Sequence, residues 1–330
     1  MFYLWQEQYD AKYSKFRGIK EQKDFGLQSY FLYESLESII QQTLQYPKYQ
    51  HVFLLDDQRF HFFHFEIKKQ VDIPITLKDI QTLILQKTFE ANQQTKEVFL
   101  FSVFDDIFID GNPQKFLIGK KGEIHCTLTL IYANRATILA FNDVYGDIRN
   151  QKKIKLIPKH FYTVEYLKKH INLRDFLILD IEDSMAQVLQ INDGQYQIIE
   201  SINFGINALM QMYKDAGISK YRYKNMEEIE KNVLAKNLVI QTLEFYVNML
   251  CKWLSDLKIL GTTVFLISPI MKNVHFIDIF NQTYRKNFIS YIVPLHISPD
   301  LDTFSKQREI EDIDAIIYLN SFPPEKRGLE

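Results

Sequence analysis

The run from Phe176 to Ile191, closed by Asn192-Asp193-Gly194, constrains the architecture more than any other stretch of the chain. Asp-Gly after an apolar segment is the strongest short-range hairpin signal. With the polar step Glu182-Asp183-Ser184 it predicts three antiparallel strands, at 176–181, 185–191 and 195–202. The first turn gathers carboxylates at the tip of a buried strand. That is costly in solvation unless the tip faces water, a metal or a ligand. A solvated turn is the plain reading; Mg²⁺ held by Asp180, Glu182 and Asp183 is the sharp one.

At 330 residues the chain exceeds one ordinary core, so two domains are expected. A net charge of −2 argues against broad electrostatic binding to nucleic acid or anionic membrane and leaves room only for a local patch. Cys126 and Cys251 both sit among apolar neighbours, which suggests buried thiols in a reducing compartment. No apolar run approaches the ~20 residues that span a bilayer. The start, Met-Phe-Tyr-Leu-Trp-Gln-Glu, has no signal-peptide pattern. The expectation is a cytoplasmic globular protein. Its 11 glycines are few from which to build phosphate loops.

Taken in order, residues 2–7 and 12–20 read as strands, and Leu32, Leu36, Ile39, Ile40 and Leu44 as a helix over about 30–45. A hairpin follows at 51–55 and 59–67. His61 and His64, three apart on a strand, point to opposite faces and read as sheet histidines, not as ligands of one ion. Thr76 and Asp79 open a helix with a capping-box pair. Strands are expected at 97–104 and 107–109, split by Asp105-Asp106, and at 123–133. Gly119-Lys120-Lys121-Gly122 lacks the Ser or Thr and the following helix of a P-loop, and reads as a turn. A strand and a helix fill 154–175. Gly205 before a helix at 206–213 is equally an anion site and an ordinary strand-to-helix turn. The longest helical pattern covers 226–260, with a break near Lys236-Asn237. Strand 262–267, helix 273–283, strand 290–295 and a helix at 311–320 complete the chain.

Hairpins or meanders followed by helices in both halves resemble the actin-like ATPase superfamily. Within it the chain is most similar to the bacterial cell-division protein family FtsA, and next to the pilus-assembly family PilM. The FtsA set "Ile-Thr-x-x-Asp-Ile", "Ile-Asp-Gly" and "Gly-x-x-Gly" reads here Ile75-Thr76-Leu77-Lys78-Asp79-Ile80, Ile109-Asp110-Gly111 and Gly119-Lys120-Lys121-Gly122, in the same order. The resemblance implies an α/β, actin-like two-half fold with ribonuclease-H-like halves. The first half is 1–155, reduced, with an FtsA-type extra subdomain inserted at about 68–148. The second half is 156–320, and 321–330 is a polar tail.

The resemblance also places a degenerate nucleotide site at Asp10, Asp180, Glu182, Ser184, Gly205, Asn207, Glu227 and Ser268. Asp180 keeps the aspartate of the second phosphate loop. Glu182 stands where that loop has glycine, and Ala186 where it has threonine. Gly205 and Asn207 match "Ala-Gly-Asn", Glu227 the adenosine-side glutamate, and Ser268-Pro269 the adenine "Gly-Gly". Glycines let backbone N–H groups approach phosphate oxygens, and proline has no N–H to offer. ATP with Mg²⁺ is the family's cofactor; these departures predict weak or no hydrolysis, no resident cofactor and a scaffold that recruits partners through its surfaces, with an active ATPase of the actin and sugar-kinase superfamily, binding ATP and Mg²⁺, as the other reading. The implied partners are proteins: an FtsZ-like ring, or an inner-membrane pilus protein. Self-association is a property the resemblance allows. No nucleic acid is expected. The end of the chain lacks an amphipathic membrane helix, so attachment to the inner face of a membrane is expected through partners.

Overall fold

Two sheets of five strands carry the molecule, and their strand orders match. The computed structural model describes residues 2–8, 14–22, 26–34, 40–41, 51–146, 154–170, 174–218, 233–257, 263–268, 274–288 and 292–294. In the first sheet, β1 (Phe2–Gln8), β2 (Ser14–Gln22) and β3 (Gly26–Glu34) form an antiparallel meander. β4 (His51–Leu55) runs parallel to β1 on its other side.

The chain then builds an inserted sheet from β5 (Phe60–Val71), β6 (Val98–Ile109), β7 (Asn112–Pro113) and β8 (Gly122–Ala133), ordered β5-β8-β6-β7. Helix α1 (Leu77–Asn92) packs on it through Ile80, Ile84 and Ala91. The predicted capping box is present: Asp79 N donates to Thr76 Oγ1, and Thr76 N to Asp79 Oδ2. Helix α2 (Arg135–Tyr145) follows, and β9 (Ile154–Pro158) returns parallel to β4.

Helix α3 (Phe161–His170) leads into the second sheet. β10 (Phe176–Ile181), β11 (Ala186–Asn192) and β12 (Gln195–Ile202) are the meander expected from Asp193-Gly194. After α4 (Ile206–Asp215) and α5 (Val233–Asp256), β13 (Thr263–Ile267) pairs parallel with β10. After α6 (Val274–Phe288), β14 (Ile292–Pro294) pairs parallel with β13. The orders β3-β2-β1-β4-β9 and β12-β11-β10-β13-β14 are the same half built twice. The chain has the actin-like two-half α/β fold.

Side-chain alternation on β10 decides what each face of the second sheet meets. Leu177, Leu179 and Ile181 pack under α4, α5 and α6 with Leu243, Tyr246, Leu250 and Phe280. Phe176 and Ile178 turn to the opposite face, with Val164 and Leu167 of α3. Asp180 shares that second parity, so its side chain is sent toward the first half.

Five local expectations are corrected. Segments 51–55 and 59–67 form no hairpin: β4 pairs with β1 and β9 in the first sheet, and β5 with β8 in the inserted one. Residues 30–34 belong to β3, not to a helix; the aromatic run Tyr30-Phe31-Leu32-Tyr33 favours a strand. Asp105-Asp106 does not split a strand: β6 continues through a bulge there, with Asp106 at φ 51°. α5 is unbroken at Lys236-Asn237. Helix α2 is additional. It is capped by Asn134, whose Oδ1 accepts from Thr137 N at 2.9 Å, and ends at Gly146 with φ 74°. The expected helix at 311–320 and the polar tail lie outside the described residues.

Candidate functional site

Four acidic and two basic side chains converge, buried, at the C-terminal ends of β4, β9 and β10. β4 delivers Asp56 and Asp57 just past its last residue. Asp56 caps the following turn, accepting from Gln58 N at 2.9 Å. β9, paired to β4, delivers Lys159 and His160 at the same end, and Lys159 N donates to Leu55 O at 2.7 Å. β10 delivers Asp180, and the turn beyond it Glu182. All six are at most 4% exposed.

Lys159 Nζ lies between the two carboxylates of the second half. It is bonded to Asp180 Oδ2 and, at 2.8 Å, to Glu182 Oε1. His160 bridges the halves: Nδ1 meets Asp57 Oδ2 at 2.6 Å, and Nε2 lies 3.2 Å from Asp180 Oδ2. Carboxylates at both ring nitrogens favour the imidazolium. Burial alone would lower the His160 pKa, but Asp57 and Asp180 push it up to about 10. Burial likewise opposes the Lys159 charge, and Asp180 and Glu182 overcome it, leaving the group well above its ordinary value. Burial would raise Asp180, yet Lys159 and His160 hold it below the usual carboxylate range. Glu182 is pushed up to about 8, by burial first, despite Lys159. Burial and then Asp57 raise Asp56. The upward shifts of Glu182 and Asp56 run toward a cluster with less net charge, as burial favours.

The sequence-predicted site residues divide among this cluster and its rim. Asp180 and Glu182 are in the cluster, so for these two the solvated turn is overturned: the tip faces a lysine, not water. Ser184 O accepts from Gly205 N at 3.3 Å. Gly205 has no room for a side chain, since an added Cβ would sit 2.4 Å from Glu182 O and 2.5 Å from Met185 N. The first N–H groups of α4 are already used: Ile206 N donates to Glu182 O at 2.9 Å, and Asn207 N to Asp183 O at 2.7 Å. The open question at Gly205 is thereby answered in favour of a packed strand-to-helix turn. The Asn207 side chain is exposed. Ser268 Oγ donates to Ile181 O at 3.1 Å, closing the end of β13 onto β10. Asp10 and Glu227 lie outside the described residues.

Lys159, His160, Asp56 and Asp57 were not among the residues predicted from sequence. The signal was a charged pair directly after each of two short apolar strands, His51–Leu55 and Ile154–Pro158. The strand histidines are accounted for without a metal. His61 Nδ1 pairs with Glu97. His64 Nδ1 meets Thr129 Oγ1 at 2.9 Å and its Nε2 meets Tyr196 O at 3.2 Å, and burial lowers its pKa to about 4.

The residues present do not fit MgATP. A Mg²⁺ at this turn would compete with Lys159, which already bonds Asp180 Oδ2 and Glu182 Oε1. A triphosphate requires backbone donors, and those at the start of α4 are bonded to the neighbouring turn.

No family model matches the chain, and no curated protein does. Among solved structures it is similar to a PilM-PilN type IV pilus biogenesis complex, at 12% identity over 92% of each chain and a TM-score of 0.46. It is also similar to a Bacteroides thetaiotaomicron protein with an actin-like ATPase fold and unknown function, at 11% identity over 96% of this chain and 95% of that one, with a TM-score of 0.39. A third is the ethanolamine utilization protein EutJ from Carboxydothermus hydrogenoformans, at 10% identity over 89% and 83%, with a TM-score of 0.41. The fold rests on the matching order of the two sheets, not on these likenesses.

Proposed function

We propose that this chain is a non-hydrolysing actin-like scaffold that acts by recruiting protein partners. The observation that carries the proposal is the Lys159 ammonium, bonded to Asp180 and Glu182 in the place a nucleotide's metal would need. The cation follows β9 of the first sheet and its two partners follow or end β10 of the second, so the same contact joins the sheets. Removing one member of a buried pair costs about 3–5 kcal/mol, so MgATP would have to offset a penalty of that size to enter. The finer reading is an FtsA-type scaffold, and the PilM-type reading differs from it in partner. Phosphate release from MgATP tests the common part: the rate should equal the blank, and steady turnover abolished by Asp180→Asn would refute it. A pull-down scoring an FtsZ-like protein against a pilus inner-membrane protein separates the two partner classes.

A further inference from the structure

Five of the exposed large apolar side chains of the described residues are on the inserted subdomain. Leu85 and Phe89, one turn apart, fall on the outer face of α1, and Leu77 stands in its exposed first turn. Leu85 is 69% and Phe89 68% exposed. Ile73, 76% exposed, precedes the helix, and Ile118, 50% exposed, lies in the turn beside it. Two backbone hydrogen bonds fix that neighbourhood: Ile75 N donates to Lys120 O at 2.8 Å, and Gly119 N to Ile75 O at 2.8 Å. Ile73, Leu77 and Ile118 are thereby held at one tip.

The same tip carries four exposed lysines, Lys69, Lys78, Lys120 and Lys121. Lys69 and Lys78 both lie within electrostatic reach of Asp79, whose carboxylate is committed to the Thr76 cap. None of the four ammonium groups is ion-paired among the described residues, whereas Lys68 pairs with Glu66 and Lys87 with Glu90. Asp72 is the other exposed carboxylate of the 69–79 segment. Cations around a protruding apolar face complement a surface that is negative at its plane and apolar just beneath it. A lipid headgroup layer has that profile, and an amphipathic helix lying in its plane is the usual way to meet it.

We propose that the outer face of α1 and the 118–121 turn dock on an anionic lipid bilayer. The inserted subdomain then makes the contact. The proposal goes beyond the scaffold reading, and its test does not involve the cleft.

The experiment is co-sedimentation of the full chain with vesicles of phosphatidylcholine alone and of phosphatidylcholine with phosphatidylserine, at low and high salt. The chain should partition onto the anionic vesicles only, and high salt should weaken it. Each lysine near such a surface is worth about fivefold in partition, so K120E/K121E should lose at least about 25-fold. L85S/F89S should lose at least about tenfold through reduced insertion, at unchanged net charge. Both pairs are exposed, and unchanged melting of the variants shows that folding is not the cause. Sedimentation with neither vesicle overturns the proposal. Equal partition onto both overturns it as well, and so does wild-type partition by K120E/K121E. A protein partner on this face would give the first of those results.

Discussion

The two sheets follow one course, yet their corresponding strand ends carry different chemistry. β4 and β13 occupy the same place in their halves. β4 runs into Asp56 and Asp57, both buried; β13 runs into Ser268, which makes a neutral hydrogen bond to Ile181 O. The strand next to β4 adds Lys159 and His160. The second half contributes only acids, Asp180 and Glu182, to the cluster. The acids of the second sheet are compensated by cations that follow a strand of the first. In a duplicated fold, this makes the junction a charge-matched seal instead of an open cleft.

The largest break in that comparison is Lys159→Met. It strands Asp180 and Glu182 without their cation and should cost about 3–5 kcal/mol in urea unfolding. Adding Asp180→Asn and Glu182→Gln should restore much of the loss, because an apolar and neutral cluster of similar volume is no worse than the ionic one.

Next comes pH. The His160 pKa is raised from 6.5 to about 10, so the stability it contributes is complete below about 6.5 and is lost as pH rises through about 10. Glu182 is raised from 4.5 to about 8, and the folded state keeps a proton that the unfolded chain releases; its contribution is complete below about 4.5 and is lost through about 8. Both act in one direction, so the unfolding midpoint should fall steadily from mildly acidic to alkaline pH. In Glu182→Gln the part of the fall between about pH 4.5 and about 8 should vanish, while the part from His160, between about 6.5 and about 10, stays.

Gly205→Ala should follow, at roughly 1–3 kcal/mol, because its Cβ meets backbone atoms of the 182–185 turn that have no rotamer to change. Ser268→Ala should be smallest, about 1 kcal/mol for one neutral hydrogen bond. If Ser268→Ala proved as costly as Lys159→Met, the contrast between the strand ends would not hold.

The second half was the more legible in sequence. Its meander is written in alternation and in Asp193-Gly194, and β13 in a continuous apolar run; both are local signals. In the first half, β3 was hidden because Leu32 also fits a helical stripe that continues through Ile40, and only pairing with β2 decides the matter. α2 was overlooked although Asn134, Ile138, Phe141 and Gly146 spell a capped amphipathic helix. The cluster was half legible. Asp180 and Glu182 stood out as carboxylates on a buried strand, but their partners lie far away: Lys159 is 21 residues from Asp180, and Asp57 is 103 from His160. No periodicity reports such a pairing, and only the parallel strands β4 and β9 bring it about.

The most direct measurement of the central claim is the melting of the full chain with and without millimolar MgATP. A ligand at 100 times its dissociation constant adds about 2.7 kcal/mol to stability, which is easily read as a shift of the midpoint. With Lys159 sealing Asp180 and Glu182, the midpoint should not move. A saturable upward shift, lost in Asp180→Asn, would contradict the account.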